Sequence, residues 1–102
     1  MLFAMDMRFA DSALERMYTD PAYSGGWAPS IVAAYRKRVG TIEAAMDERD
    51  FFALRSLRFE KLKGKRNHQY SMRLNDQWRL ILEFEGKGPG KIVAIISIED
   101  YH

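Results

Sequence analysis

The fold is decided by residues 70–85, YSMRLNDQWRLILEFE. Apolar and polar side chains alternate over residues 70–74 and again over residues 78–84, and this period-two alternation is typical of a strand with one buried face. The polar segment 75–77 separates the two runs. The stretch therefore predicts an antiparallel hairpin, with its aromatic members Tyr70 and Trp78 in the core.

The register of this hairpin follows from the need to bring both apolar sets onto one core. Pairing Leu74 with Trp78 does so through a three-residue loop, residues 75–77, in which one residue adopts the left-handed conformation that Asn and Asp tolerate. A two-residue loop would put the apolar sets on different faces. In the favoured register Arg73 lies directly across from Arg79, on the face away from the core.

Two facing arginines need an explanation, because like charges placed opposite each other on a sheet repel. An anion between Arg73 and Arg79 would remove the conflict, since guanidinium groups bind phosphate oxygens in bidentate fashion. The alternative is that both side chains point into water or pair with Glu60 and Glu83. The sequence leaves this choice open.

Helices are predicted before the hairpin and a further strand after it. The capping-box form of residues 12–15, SALE, predicts a short helix over residues 13–18 with Ser12 as its cap. A turn of helix is expected at residues 51–55, and the almost wholly apolar run 92–98 is typical of a central strand covered on both faces. Pro29 opens a longer helix with an apolar stripe at three- and four-residue spacing, namely Val32, Tyr35, Val39, Ile42 and Met46.

Length and composition bound the class of protein. With 102 residues, 47% of them hydrophobic, the chain is expected to form a single domain over residues 1–102. Cysteine is absent and there are two histidines, which argues against disulfides, thiolate nucleophiles and zinc sites. No apolar run approaches the roughly 20 residues of a membrane-spanning helix. A cytoplasmic protein without metal or cofactor is expected.

Positive charge is concentrated in one region. Residues 55–79 hold eight basic residues against two acidic ones, a local net charge of +6 in a chain whose net charge is +2. Such a strip is either a solvated surface or a footprint for the phosphates of a nucleic acid.

Four segments carry a resemblance to a known family: LKGKR at residues 62–66, YSMRLNDQWR at 70–79, EDYH at 99–102 and FADSALER at 9–16. In this order and spacing they resemble HigB, a family within the RelE/ParE superfamily of bacterial toxins. The resemblance implies an α+β fold in which a small, twisted, mostly antiparallel β-sheet packs against two N-terminal helices. It also implies an initial strand around residues 5–9.

The resemblance further implies a function and partners. HigB-like toxins cleave messenger RNA in the decoding site of the ribosome, and a HigA antitoxin with a helix-turn-helix domain neutralises them. Operator DNA would be contacted only through the antitoxin, and no membrane would be involved. Glu60 departs from the family pattern, because some relatives place a histidine with a proposed catalytic role at this position.

Cleavage without a metal needs an aligned ribose 2′-hydroxyl, charge stabilisation at phosphorus and proton transfer at two oxygens. The hypothesis assigns Arg73 and Arg79 to the phosphate oxygens, and Lys63 to the phosphate or the nucleophile. His102 is the general acid or base, since histidine titrates near neutral pH. Asp100 orients a neighbour, and Tyr101 stacks on a base or donates from its hydroxyl. Contacts to ribosomal RNA are assigned to Lys61, Lys65 and Arg66.

Two other functions share these features. A gyrase-inhibiting toxin of the ParE kind would have the same fold but no use for a terminal histidine. A non-catalytic RNA-binding or repressor-associated module would use the basic strip alone. Cleavage of message, compared with a change in DNA supercoiling, distinguishes the three.

Overall fold

The computed structural model describes residues 5–86 and 91–100. Short 3-10 turns lie at Arg55–Leu57 and Gly64–Arg66. Among these residues, no helix has the length and apolarity that crossing a membrane requires. The elements in chain order are β1 (Asp6–Phe9), α1 (Ser12–Thr19), α2 (Pro29–Ala44), α3 (Arg49–Ala53), β2 (Glu60–Lys61), β3 (Gln69–Arg73), β4 (Trp78–Glu85) and β5 (Ile92–Asp100).

The strands form one sheet in the order β1-β5-β4-β3-β2. Strand β1 runs parallel to β5, and the other neighbouring pairs are antiparallel. The predicted class, an α+β fold with a mostly antiparallel sheet, is therefore confirmed. So is the initial strand, and β5 is an interior strand because it is hydrogen-bonded on both sides. A register shift between Ile81 and Leu82 marks the only irregularity of the β4–β5 pairing.

Helices α1 and α2 pack on one face of the sheet, as predicted. The hydroxyl of Tyr35 on α2 donates a hydrogen bond of 2.7 Å to the carbonyl of Leu14 on α1, which joins the two helices inside the core. Tyr70 and Trp78 pack against this core from its edge. Its buried members include Leu14, Met17, Val32, Tyr35, Val39, Ile42, Met72, Leu80, Leu82, Val93 and Ile95.

Three predicted helix details are wrong. The cap of α1 is Asp11, not Ser12, because the Asp11 side chain accepts from the backbone N–H of Leu14 at 2.8 Å. Met46 is 41% exposed, because α2 ends at Ala44 and the chain turns before the stripe reaches it. The turn expected at residues 51–55 begins two residues earlier, at Arg49, and ends at Ala53.

The register of the hairpin is confirmed, but the conformation of its loop is not the predicted one. Arg73 pairs with Arg79, and the N–H of Leu74 donates to the carbonyl of Trp78 at 2.9 Å. No residue of the loop 75–77 has a positive φ. Instead, the side-chain oxygen of Asn75 accepts from the N–H groups of Gln77 and Trp78, both at 2.8 Å, and this closes the loop.

Candidate functional site

The face of the sheet opposite the helices carries the predicted arginines. Met72 and Leu80 point into the core, so their neighbours Arg73 and Arg79 point the other way. Both arginines line one open cavity of about 390 Å³. The hairpin therefore brings two guanidinium-bearing side chains to the same place.

Arg79 forms the floor of this cavity and is 5% exposed. One of its terminal nitrogens donates to the Arg58 carbonyl at 2.9 Å, to the Ser71 hydroxyl at 2.9 Å and to the Glu60 carboxylate at 3.2 Å. A buried cation without such partners would be strongly unfavourable. These contacts hold the guanidinium in place on β4. The pairing with Glu60 is the one that the sequence left open as an alternative to anion binding.

Arg73 lies at the end of β3 and is the more accessible of the two arginines. Its guanidinium pairs with the carboxylate of Asp76, which is 98% exposed. Its backbone carbonyl accepts a hydrogen bond of 2.9 Å from Nε of Arg38, on α2. Burial, and then the nearby charge of Arg73, lower the pKa of Arg38. Helix α2 thus supports the end of the strand from which Arg73 projects.

Arg58 also lines the cavity. Among the described residues it is the one non-glycine residue with a positive φ, at 47°, and this left-handed turn directs the chain into β2 beside the hairpin. Three arginines, together with Glu60 and Asp76, therefore line the cavity. Such a set suits an anion. Within residues 5–86 and 91–100, no group of three His, Asp or Glu side chains could hold a metal ion.

Asp100 lies at the end of β5, next to Arg79. It lines a second cavity that also includes Arg79, and its carboxylate accepts a hydrogen bond of 3.1 Å from the side chain of Gln77. Asp100 thus shares a cavity with Arg79 but not with Arg73, and its assignment as an orienting residue stays a prediction. The assignments of Tyr101 and His102 fall outside the described residues.

The predicted basic residues of the β2–β3 region occupy different environments. Lys63 is exposed, precedes the 3-10 turn Gly64–Arg66, and lines neither of the two cavities that contain Arg79. Lys61 and Lys65 are exposed as well. Arg66 forms a two-bonded ion pair with Glu99, at 2.8 and 2.9 Å.

Sequence reasoning missed several residues of the site. Arg58 was counted only as part of the basic strip, and Glu60 only as a departure from the family pattern and an alternative partner of the arginines, yet both line the cavity. Ser71 alternates with Met72 and so could have been placed on the arginine face from strand parity. Nothing in the helical stripe of α2 indicates that Arg38 reaches the end of β3.

Comparison with known proteins identifies the family. The model of the HigB-like toxin family, described as a RelE-like toxin of type II toxin-antitoxin system HigB, matches residues 7–102. The chain belongs to this family. Recognition of HigB from the four segments of the sequence is thus confirmed. A comparison with curated protein sequences found no match.

Solved structures similar to this HigB-like toxin share its fold. A YoeB/ParE toxin from Agrobacterium tumefaciens is 14% identical, with a TM-score of 0.58 over 96% of this chain and 100% of that one. A chain of the YoeB-YefM complex from Staphylococcus aureus is 19% identical, with a TM-score of 0.57 over 96% and 97% of the two chains. At these identities the likeness concerns the arrangement of helices and strands.

Proposed function

We propose that this HigB-like toxin is a ribosome-dependent endoribonuclease that inhibits translation by cutting messenger RNA. The observation that carries the proposal is the cavity shared by Arg73 and Arg79, which are direct partners across the β3–β4 hairpin. Two guanidinium groups fixed on adjacent strands suit the non-bridging oxygens of one phosphodiester. Arg58 adds a third positive charge at the same place.

The reaction needs no metal. The ribose 2′-oxygen loses its proton and attacks the adjacent phosphorus, the bond from phosphorus to the 5′-oxygen breaks, and that oxygen takes up a proton. The products are a 2′,3′-cyclic phosphate and a 5′-hydroxyl. Arg73 and Arg79 stabilise the charge on the phosphorane. His102 exchanges the protons, and Lys63 stabilises the phosphate or assists the nucleophile. Asp100 orients a neighbouring group, while Tyr101 stacks on a base or donates from its hydroxyl.

The phosphate of the RNA must compete with two carboxylates. Without substrate, Asp76 pairs with Arg73 and Glu60 pairs with Arg79. Asp76 is 98% exposed, so releasing it from Arg73 costs little, since exposed ion pairs contribute about 0–1 kcal/mol. Glu60, which replaces the histidine of some relatives, is also about half exposed. A carboxylate at this position can accept a proton from a hydroxyl, as an imidazole can. Glu60 is thus a further candidate for proton transfer.

The ribosome supplies the alignment that so small a site lacks. Lys61 and Lys65, exposed beside the hairpin, are proposed to contact the phosphates of ribosomal RNA, where affinity depends on charge rather than on precise geometry. Arg66 was assigned the same role, but its pairing with Glu99 makes it a weaker candidate than the two lysines.

The toxin is proposed to act in the cytoplasm as a single domain, under control of a HigA-like helix-turn-helix antitoxin. Two observations support a protein inhibitor: the matched family is one of toxin-antitoxin systems, and a similar fold occurs in the YoeB-YefM complex. Operator DNA is then contacted only through the antitoxin.

Brief induction of the toxin in growing cells tests the function. We expect translated messages to be cut within minutes while the supercoiling of a reporter plasmid stays unchanged. A change in supercoiling with intact messages would instead identify a gyrase inhibitor. Growth arrest with neither change would identify a module that binds RNA without cutting it.

A further inference from the structure

A second cavity lies beside the arginine cavity on the same face of the sheet. It measures about 250 Å³ and shares Arg79 with the first. This volume is below the roughly 300–1,000 Å³ of pockets for drug-sized ligands, so it suits one flat heterocycle rather than a whole nucleotide. The side chains of Leu62 and Ile81 give it an apolar lining.

The rim of this cavity offers hydrogen-bonding groups held at fixed positions. Arg66 and Glu99 face each other through two hydrogen bonds, and the side chain of Gln69 accepts a third bond from Arg66 at 2.8 Å. The hydroxyl of Ser97 donates to Glu99 at 2.8 Å. Hydrogen bonding to Arg66 lowers the pKa of Glu99, so its carboxylate is an acceptor at neutral pH.

Apolar walls, a planar guanidinium and a fixed carboxylate are the groups with which proteins bind an unstacked RNA base. The position of Arg79, which lines both cavities, matters as well. A phosphodiester held by Arg73 and Arg79 has a nucleoside on each side, and the second cavity begins at Arg79. We propose that this cavity is a base-binding subsite, which receives one of the two bases flanking the scissile phosphate. The inference rests on the proposed nuclease function.

The chemistry of Glu99 indicates which bases the subsite accepts. Adenine, cytosine and guanine carry an exocyclic amino group, which donates to a carboxylate. Uracil has no amino group, and its one imide N–H lies between two carbonyl oxygens that a carboxylate repels. The subsite therefore selects an amino-bearing base against uracil.

Sequencing of cleavage ends on a translated message, for the wild type and for Glu99→Gln, tests the subsite. In the wild type, uracil should be depleted at one of the two positions flanking the cut, by at least about fivefold, the lower end of what one base-edge contact contributes. Glu99→Gln keeps the shape of the side chain but adds an amide N–H group, which can donate to a carbonyl oxygen of uracil. The depletion of uracil should therefore disappear. The message should still be cut.

Glu85→Gln is the matched control. Glu85 forms an ion pair of the same two-bonded kind with Arg8, and it lines neither cavity. This control should keep the wild-type base distribution. Leu62→Trp is a second variant that alters no charge. It narrows the subsite, so cuts should shift from purines towards cytosine.

The possible results separate the inference from the function on which it rests. A wild type that cuts translated message without any uracil depletion overturns the subsite and leaves the nuclease in place. A uracil depletion that survives Glu99→Gln, or a Leu62→Trp variant that keeps the wild-type ratio of purines to cytosine, does the same. An equal loss of the uracil depletion in Glu85→Gln also overturns the subsite. A wild type that cuts no message overturns the nuclease, and the subsite with it.

Discussion

At the scale of single residues, the cavity depends on arginines that differ in accessibility. The Arg79 guanidinium donates to three oxygens. Its removal would leave these acceptors exposed to water or without a hydrogen-bond donor. Arg73 is tied mainly to an exposed carboxylate. Arg73 is therefore the better residue for separating function from stability.

Arg73→Ala should lower the rate of message cleavage by about 100-fold or more, because it removes one donor that stabilises the transition-state charge. Its melting temperature should stay close to that of the wild type, since the lost ion pair is exposed. Arg8→Ala is the control. It removes an equal charge, together with the ion pair to Glu85, and it should retain full activity. Equal loss in both variants would show that charge alone, not the cavity, matters.

Residue-level prediction from the sequence succeeded where strand parity decides the outcome. The facing of Arg73 and Arg79 follows from alternation in one hairpin. The contributions of Arg58 and Arg38 do not, because these residues come from elements that reach the hairpin only through tertiary packing. The loop conformation was missed because the Asn75 side chain supplies the hydrogen bonds that a left-handed residue would otherwise arrange.

At the scale of the elements, helix α1 depends on its first residues. Asp11 and Ser12 are both good capping residues, and the sequence favoured Ser12 because of Glu15 three positions later. The side chain that accepts from Leu14 belongs to Asp11. Local sequence alone could not choose between two adjacent candidates.

The two capping candidates can be compared directly. Asp11→Ala should lower the free energy of unfolding by about 1 kcal/mol, the typical contribution of an N-cap. Ser12→Ala should have almost no effect, since the Ser12 side chain does not cap the helix. Urea unfolding of both variants measures this. The reverse order would mean that the capping box forms after all.

Tyr35 joins α1 to α2, and its removal tests how strongly the helices depend on each other. Tyr35→Phe should lower the free energy of unfolding by about 1 kcal/mol, because the Leu14 carbonyl loses a buried hydrogen bond. Tyr18→Phe is the control, with an expected loss of about 0.5 kcal/mol or less, because the Tyr18 hydroxyl bonds to Glu43 at the surface. Similar losses in Tyr35→Phe and Tyr18→Phe would show that the hydrogen bond of Tyr35 is accessible to water.

The same tyrosine gives a dependence on pH. Burial raises the pKa of Tyr35 well above its ordinary value of 10.0, since a phenolate is disfavoured in the core. Above about pH 10 the unfolded chain loses this proton while the folded chain keeps it. The free energy of unfolding should therefore fall as the pH rises through this range. Tyr35→Phe lacks this contribution, so the difference between the two proteins should narrow at alkaline pH.

At the scale of the whole molecule, charge is unevenly distributed along the chain. The strip at residues 55–79 has a local net charge of +6, although part of it is neutralised within the fold by ion pairs such as Arg66–Glu99. The sequence predicted the strip but not this pairing. Lys61 and Lys65 are among the residues whose charge faces solvent.

Replacing Lys61 and Lys65 with Gln should weaken association with ribosomes and make it less dependent on salt, by a slope of about two for the two lost contacts. Cleavage at saturating ribosome concentration should be nearly unchanged, because the arginine cavity is intact. The matched control neutralises Arg16 and Lys37, which lie on helices α1 and α2. A comparable loss in the control would assign the effect to net charge.

The most direct test of the nuclease is to incubate purified toxin with one message, either free or under translation, and to analyse the new ends. We predict cuts only in the translated message, each leaving a 2′,3′-cyclic phosphate and a 5′-hydroxyl, and loss of these cuts in Arg73→Ala. Efficient cutting of free RNA, or ends with a 5′-phosphate, would contradict the account.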